Sequence, residues 1–449
     1  MVLLAIFRDD KSRLFLLLVA SYVFYGAWNP AYLALIFGCT LSGWLFGFLI
    51  HNAQDKQTKR VYFITSISIS LGLLGYFKYA TFFAENIHLI IGGDSTFEKV
   101  LLPVGISFFT FQTMSYTIDV YRGNLELCRS LPKFMLFVAF FPQLVAGPIV
   151  RASEFLPQLN RSIKITPDNC IIGAQIFLGG AIQKVLFADT LSTFVDPVFD
   201  NPLLYSSETL WLALIAYSIQ IFCDFSGYSL MAIGVARALG FELPPNFKMP
   251  YISISITEFW RRWHLTLSFW LRDYLYISLG GNRKGELQTK INLMITMLLG
   301  GLWHGASWNF VLWGALHGFG LVVHKYWTGW QHAFKETTVY RYVAWLVTLI
   351  YVMLLWVPFR SSDFSTTIIF YQGLFSGGLG VDWMHTQSIF VVLTVAVWHV
   401  LYLRKNELLV GFPYQKPHRY IHLYPIVTAL MLILLFAPTN SSPFIYFQF

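Results

Sequence analysis

The side chains able to do chemistry crowd into one stretch of this 449-residue chain, Gln220 to His324, inside sequence that is otherwise strongly apolar. His304 sits in Gly300-Gly301-Leu302-Trp303-His304-Gly305-Ala306-Ser307-Trp308, flanked by glycines that let backbone or substrate come close. An imidazole there is the best general base available near neutral pH; a buried histidine bonded to a carbonyl is the bland alternative. His264 belongs to Thr257 to Ser268, TEFWRRWHLTLS. Read as one amphipathic helix, this segment puts Trp260, Trp263, His264, Leu267 and Leu271 on one face, and lets Glu258 pair with Arg262. An interfacial anchor accounts for its tryptophans and arginines but not for His264. Asp224, Ser226 and Tyr228, in CDFSGYS, lie within an apolar run. They read either as a cavity lining or as a helix–helix hydrogen-bond cluster in which Gly227 allows close approach. A basic strip, Arg261, Arg262, Arg272, Arg283 and Lys284, can bind a phosphorylated cofactor or can simply mark the cytosolic side.

Other chemistries find no pattern. A metal site from His264, His304 and His317 would need three ligands and a supporting shell, and nothing here has ligand spacing, so no metal is expected. His317 and His324 lie on one face of the following helix. There is no Gly-rich phosphate loop and no Gly-x-Ser-x-Gly elbow. The four cysteines, Cys39, Cys128, Cys170 and Cys223, are too widely spaced for a zinc site or a disulfide framework.

The elements that must position these groups are membrane helices. Hydrophobic residues make up 56% of the chain and charged residues 12%, too few to clothe a soluble core, for which about 25% is usual. Ten runs have the character of spans: Leu14 to Trp28, Tyr32 to Ile50, Val61 to Ala80, Leu101 to Val120, Ile171 to Thr190, Leu210 to Ala236, Trp308 to Tyr326, Tyr342 to Phe359, Ser388 to Leu403 and Ile421 to Phe436. Phe134 to Val150, with its Phe141-Pro142 and Gly147-Pro148, and Ile291 to Trp303, ending in Gly300-Gly301, read as broken or re-entrant. The opening apolar stretch followed by Arg8-Asp9-Asp10-Lys11 does not have the order of a cleavable signal peptide.

Basic residues set the expected orientation. Arg237 to Lys290 holds eight of them, Lys56, Lys59 and Arg60 follow the second run, and Arg404, Lys405, Lys416 and Arg419 cluster near the end. Leu191 to Ser207 and Ala437 to Phe449 carry none. The positive-inside rule then gives a cytosolic N-terminus, an extracytoplasmic C-terminus and about eleven crossings, with Lys99 and Arg360 the exceptions. The net charge of +8 follows from this topology, and no nucleic acid is expected as a partner.

Three blocks resemble membrane-bound O-acyltransferases: Asp224 to Gly234 (DFSGYSLMAIG), Asn246 to Gly281 (NFKMPYISISITEFWRRWHLTLSFWLRDYLYISLGG) and Gly301 to Ser307 (GLWHGAS). Leu102 to Arg122, Phe140 to Gly147 (FFPQLVAG) and the closing Phe444 to Phe449 (FIYFQF) resemble the bacterial alginate O-acetyltransferase-like branch. The resemblance covers nearly the whole chain, 1–449, as a single polytopic domain with its core motifs within 101–327. Two departures stand out: the chain begins later than typical members, so a leading apolar segment is expected to be short or missing, and Leu230 stands where relatives often carry a polar or acidic residue. The resemblance implies an all-α polytopic bundle with re-entrant or broken helices around a central tunnel, in the bacterial inner membrane. It implies acetyl transfer from cytosolic acetyl-CoA, as a substrate with no bound cofactor, across the membrane. The acceptor would be a polysaccharide hydroxyl or an extracytoplasmic acetyltransferase, among polysaccharide export proteins and membrane lipids. His304 matches the family's essential histidine and His264 its second functional position. Asp224, Ser226, Tyr228 and Trp303 would line the tunnel, and Arg261 and Arg262 would meet the CoA phosphates. The rival readings are a D-alanyl transfer protein for teichoic acid and, outside the family, a transporter or export channel with no acyl-transfer chemistry.

Overall fold

Helix follows helix along the computed structural model, which describes residues 9–92, 97–144, 147–328, 337–375, 377, 380–404, 423–438 and 442–444. The helices are α1 (Asp10–Gly26), α2 (Tyr32–Asn52), α3 (Lys56–Ile91), α4 (Ile106–Arg122), α5 (Leu131–Ala139), α6 (Pro167–Ala181), α7 (Asp189–Asp200) and α8 (Ser207–Ala238). After them come α9 (Ile256–Trp260), α10 (Leu265–Trp270), α11 (Glu286–His304), α12 (Trp308–Trp327), α13 (Thr338–Arg360), α14 (Phe364–Phe375), α15 (Thr386–Arg404) and α16 (Leu423–Phe436). Two π-helical turns are inserted: Ile182–Ala188 joins α6 to α7, and Leu271–Tyr276 extends α10. Among the described residues the β-structure is one isolated bridge, Tyr205 to Val381. Five helical stretches there are long and apolar enough to cross a membrane: Tyr32–Asn52, Lys56–Ile91, Pro167–Asp200, Ser207–Ala238 and Thr338–Arg360. Each satisfies its own backbone hydrogen bonds, the condition for crossing hydrocarbon.

Each of the ten apolar runs picked out in the sequence contains a helix, although α1 ends at Gly26, α4 begins only at Ile106, and Ile421 and His422 lie outside the described residues. Three expectations need correction. Ile291 to Trp303 is not broken: α11 runs unbroken through Gly300 and Gly301 to His304. The glycines serve packing instead, because a Cβ on Gly301 would lie 2.2 Å from the Phe310 carbonyl oxygen and one on Gly314 would lie 2.4 Å from that of Met297. The α11–α12 hairpin is therefore packed backbone against backbone. Thr257 to Leu271 is not one helix: α9 ends at Trp260, and His264 turns the chain with φ 42° before α10 begins. The shared face drawn from helical spacing is thus lost. Phe364–Phe375 is a helix that hydropathy did not pick out. In the Phe134 to Val150 run, by contrast, α5 does stop at Ala139 and a short turn follows at Phe141–Leu144.

The chain divides into two compact units. One comprises 1–174 with 232–244; the other comprises 175–231 with 245–449. The first has an aromatic core: Tyr116 sits over Gly47, a Cβ on which would meet the phenol ring at 2.4 Å, and its own ring lies 4.5 Å from Phe134. Phe140, Phe155 and Phe241 continue this cluster, with centroids 5.0–5.4 Å apart. The second unit holds every side chain assigned a catalytic or tunnel role above. Arg360, expected on the outer side, is paired there with Asp196 at 2.8 Å, on the very stretch that lacks Lys and Arg. Arg8, Lys405, Lys416, Arg419 and 445–449 of the closing motif lie outside the described residues, as do Val145 and Ala146.

Candidate active site

His304 is the last residue of α11, at the tip of the glycine-packed hairpin, and is 4% exposed. Its ring lies edge-on to those of Trp303 (5.1 Å), Trp313 (5.0 Å) and Phe359 (5.2 Å). The turn that follows is fixed at its far end: Ser307 Oγ accepts from Asn309 N (3.2 Å), and Asn309 Nδ2 donates to the Ser361 carbonyl at the end of α13 (3.0 Å). The imidazole is thus held on a short turn between two anchored helices, inside an apolar box in which any polar partner counts heavily.

His264 is fully buried. Its Nδ1 is 3.1 Å from Asn246 Oδ1, its ring stands edge-on to Phe225 at 4.6 Å, and Trp303 lies 6.0 Å away. The Trp303 indole is therefore beside both histidines, so three of the residues singled out in the sequence come together here. A non-glycine residue at φ 42° is uncommon and recurs at functional sites, where surrounding structure enforces it.

Asp224, Ser226 and Tyr228 are on α8. Asp224 is held by a residue that the sequence reading missed: Lys184 Nζ, in the π-helical turn, lies 2.7 Å from Asp224 and 2.6 Å from Asp189. Lys184 also donates to the Ser442 carbonyl (2.8 Å) and sits 5.6 Å from the Tyr228 ring centroid. The Phe444 ring lies tilted against those of Tyr228 (4.3 Å) and Phe225 (5.7 Å). The available signal was a lysine in the apolar run Ile171 to Thr190, where a charge needs a reason. Gly227 permits the contact, since a Cβ on it would be 2.7 Å from the Gly180 carbonyl oxygen. Ser226 is buried beside this cluster in sequence.

The basic strip is divided. Arg262 binds Glu258 (2.8 Å) and the Lys248 carbonyl (3.1 Å). Arg272 donates to both carboxylate oxygens of Asp273 (2.6 and 3.0 Å), which holds its guanidinium protonated even more firmly than usual. Arg261, Arg283 and Lys284 are exposed. The remaining histidines of the region are engaged: His317 Nδ1 accepts from Trp260 Nε1 (3.3 Å), and His324 Nδ1 bonds Thr257 Oγ1 (2.9 Å). Among the described residues no three His, Cys, Asp or Glu side chains are grouped to hold a metal ion.

Residues 128–361, which include both histidines and Lys184, match the membrane-bound O-acyltransferase family, MBOAT. The chain is 40% identical to the probable alginate O-acetylase AlgI of Pseudomonas putida, over 98% of this chain and 95% of that protein. The chain belongs to the membrane-bound O-acyltransferase family. Within this family it is 38% identical to the peptidoglycan O-acetyltransferase of Helicobacter pylori, over 80% of this chain and 73% of that one. A teichoic acid D-alanyltransferase of Streptococcus thermophilus is 29% identical over 63% of this chain and 68% of its own length. The protein is an all-α, multi-pass membrane O-acetyltransferase.

Proposed function

We propose that the protein carries an acetyl group from cytosolic acetyl-CoA to a hydroxyl beyond the bacterial inner membrane, either on a polysaccharide or on a partner acetyltransferase serving one. The membrane relatives support the polysaccharide: one is named for alginate, another for peptidoglycan. The D-alanyl alternative is less well supported, because its relatives are more distant and cover less of the chain. The whole chain acts as one O-acyltransferase domain, with its N-terminus cytosolic and its C-terminus outside.

The observation that carries the reading is His304, buried at the tip of a hairpin whose helices touch through glycine. A thioester is already activated, so the enzyme has mainly to position it and to remove a proton from the acceptor. His304 takes that proton as the hydroxyl oxygen attacks the thioester carbonyl. The carbon–sulfur bond breaks, the acetyl ester forms, and the thiolate leaves and regains a proton as free CoA. Trp303, Trp313 and Phe359 keep water away from the imidazole. His264 orients the donor, Asp224, Ser226 and Tyr228 border the path, and Arg261 meets the CoA phosphates, with Arg262 behind it.

The test follows labelled acetyl from acetyl-CoA into the exported glycan, using protein in native membranes. His304→Ala should accumulate normally, bind acetyl-CoA and transfer almost none. A well-folded variant with near-normal transfer would remove His304 from the mechanism, and wild-type protein that exports glycan without transferring label from acetyl-CoA would favour an export channel.

A further inference from the structure

Within the first unit, the segment 153–163 leads into the start of α6 and is tied to the ends of two other helices. At the start of α1, Asp10 Oδ1 accepts from Ser162 Oγ (3.2 Å) and from Ile163 N (3.1 Å). Just past the end of α8, Gly240 takes φ 88° and passes so close to Lys164 that a Cβ would lie 2.7 Å from its carbonyl oxygen. Gln158 closes the clasp: its Oε1 accepts from Glu242 N (2.8 Å) and its Nε2 donates to the Glu242 carbonyl (2.9 Å). Between the two clasped segments lies a cavity of about 400 Å³, within the range of small-ligand sites. Pro157, Ile163 and Phe241 give it apolar walls, while Glu154 and Arg161 bring opposite charges to it. Both charged side chains are exposed, and among the described residues neither forms a salt bridge, with the other or with anything else. Glu242, also on the wall, is already paired with Arg237 (2.6 Å). Desolvation raises the Glu154 carboxyl from its ordinary value and Arg151 offsets this only in part, so the carboxylate gains from a cation brought into the cavity.

We propose that this cavity is a lipid site that takes the zwitterionic phosphoethanolamine headgroup of a membrane phospholipid, its phosphate on Arg161 and its ammonium on Glu154. A guanidinium forks two phosphate oxygens at once, and the hydroxyl of Ser153, on the same wall, supplies a further donor. The ammonium donates N–H bonds to the carboxylate. A trimethylated headgroup has no N–H to give, and an anionic headgroup without a cation leaves Glu154 facing negative charge. The apolar walls receive the glycerol and the first acyl carbons. Position selects a lipid over a soluble zwitterion. α6 and α8 belong to stretches long and apolar enough to cross a membrane, and the cavity lies just before the start of one and just after the end of the other, where hydrocarbon gives way to water. Binding here needs no acyl transfer, so it stands apart from the reaction proposed above.

Native mass spectrometry of the full-length protein in detergent tests the site, with added phosphatidylethanolamine, phosphatidylcholine or phosphatidylglycerol of matched chains. The wild type should bind phosphatidylethanolamine about tenfold more tightly than either of the others, the order that one charge-assisted hydrogen bond supplies. Equal binding of all three would overturn the headgroup assignment, and this arm needs no variant that might misfold. Glu154→Gln should bring phosphatidylethanolamine down to the level of phosphatidylcholine, and Arg161→Gln should weaken phosphatidylethanolamine and phosphatidylglycerol alike. Ser153→Trp, which fills the cavity from its exposed rim and leaves both charges in place, should also abolish the preference with the thermal midpoint unchanged. An undiminished preference in folded Glu154→Gln and Ser153→Trp would overturn the site. Glycerophosphoethanolamine, the headgroup without chains, should displace the lipid only at far higher concentration; displacement at the lipid's own concentration would overturn the lipid source in favour of a soluble ligand.

Discussion

Two buried polar clusters lie in the same unit and are built on opposite plans. In the Lys184–Asp189–Asp224 cluster the charges satisfy one another at 2.6 and 2.7 Å, and the Ser442 carbonyl accepts a further hydrogen bond from the lysine. In the His264–Trp303–His304 cluster the titratable rings are separated by an indole and walled by aromatic faces. The first arrangement spends its polar groups on cohesion; the second delivers imidazoles into an apolar enclosure. Both look alike in sequence, as polar residues stranded in apolar runs. The difference teaches that intramembrane polarity locates a candidate, while the identity of its partners tells structure from chemistry. Perturbing the two clusters should therefore give crossed results.

The largest effect is expected at His304. His304→Ala should lower acetyl transfer by about 10²–10⁴-fold, the usual share of a general base, with the thermal midpoint of the detergent-solubilised protein little changed. The comparison breaks if transfer and stability fall together. Lys184→Met should do the reverse, leaving two buried carboxylates without their cation at a cost of about 3–5 kcal/mol. Less protein should then accumulate, with turnover per folded molecule largely kept. Adding Asp189→Asn and Asp224→Asn should recover much of the stability. Failure of this charge-free triple variant to transfer acetyl, when it is stable, would move Asp224 into the chemistry.

A smaller effect is expected where the hairpin packs. Gly301→Val forces side-chain atoms toward the Phe310 carbonyl, an overpacking worth about 1–3 kcal/mol, and should shift His304 as well. It should lower both stability and turnover; Gly72→Ala, where a Cβ meets nothing within 4 Å, should lower neither. The smallest expected effect sharpens the reading of the basic strip. Removing the charge of exposed Arg261 should weaken acetyl-CoA binding a few-fold, on the order of 1 kcal/mol, and spare a thioester without the nucleotide. Arg262→Ala breaks the Glu258 pair and should affect both donors alike. Equal losses for both donors in the Arg261 variant would remove it from the donor site.

The sequence by itself determined the class of molecule. Apolar runs of about 20 residues have few stable states other than membrane helices, so composition and run length were enough to identify a multi-pass helical membrane protein, five of whose described helical stretches are long and apolar enough to cross. It also marked His304, His264 and Asp224, because polar residues are conspicuous where almost everything else is Leu, Phe or Ile. Three things were decided only in three dimensions. Glycines at 300 and 301 read as a break, yet the helix continues through them and Gly301 packs against the Phe310 and Gly314 backbone, because a missing Cβ serves either purpose and only a neighbouring backbone selects one. His264 was assigned a helical face by spacing, yet a pair of backbone bonds from Asn246 and Lys248 holds it in a left-handed turn that no local periodicity encodes. Lys184 and Asp224 are 40 positions apart in a chain whose local patterns extend a few turns, so their ion pair arises from the packing of α8 against the π-helical turn. Local propensity and hydropathy act over neighbours in sequence; partners and charge compensation act over neighbours in space, and the site is made of these.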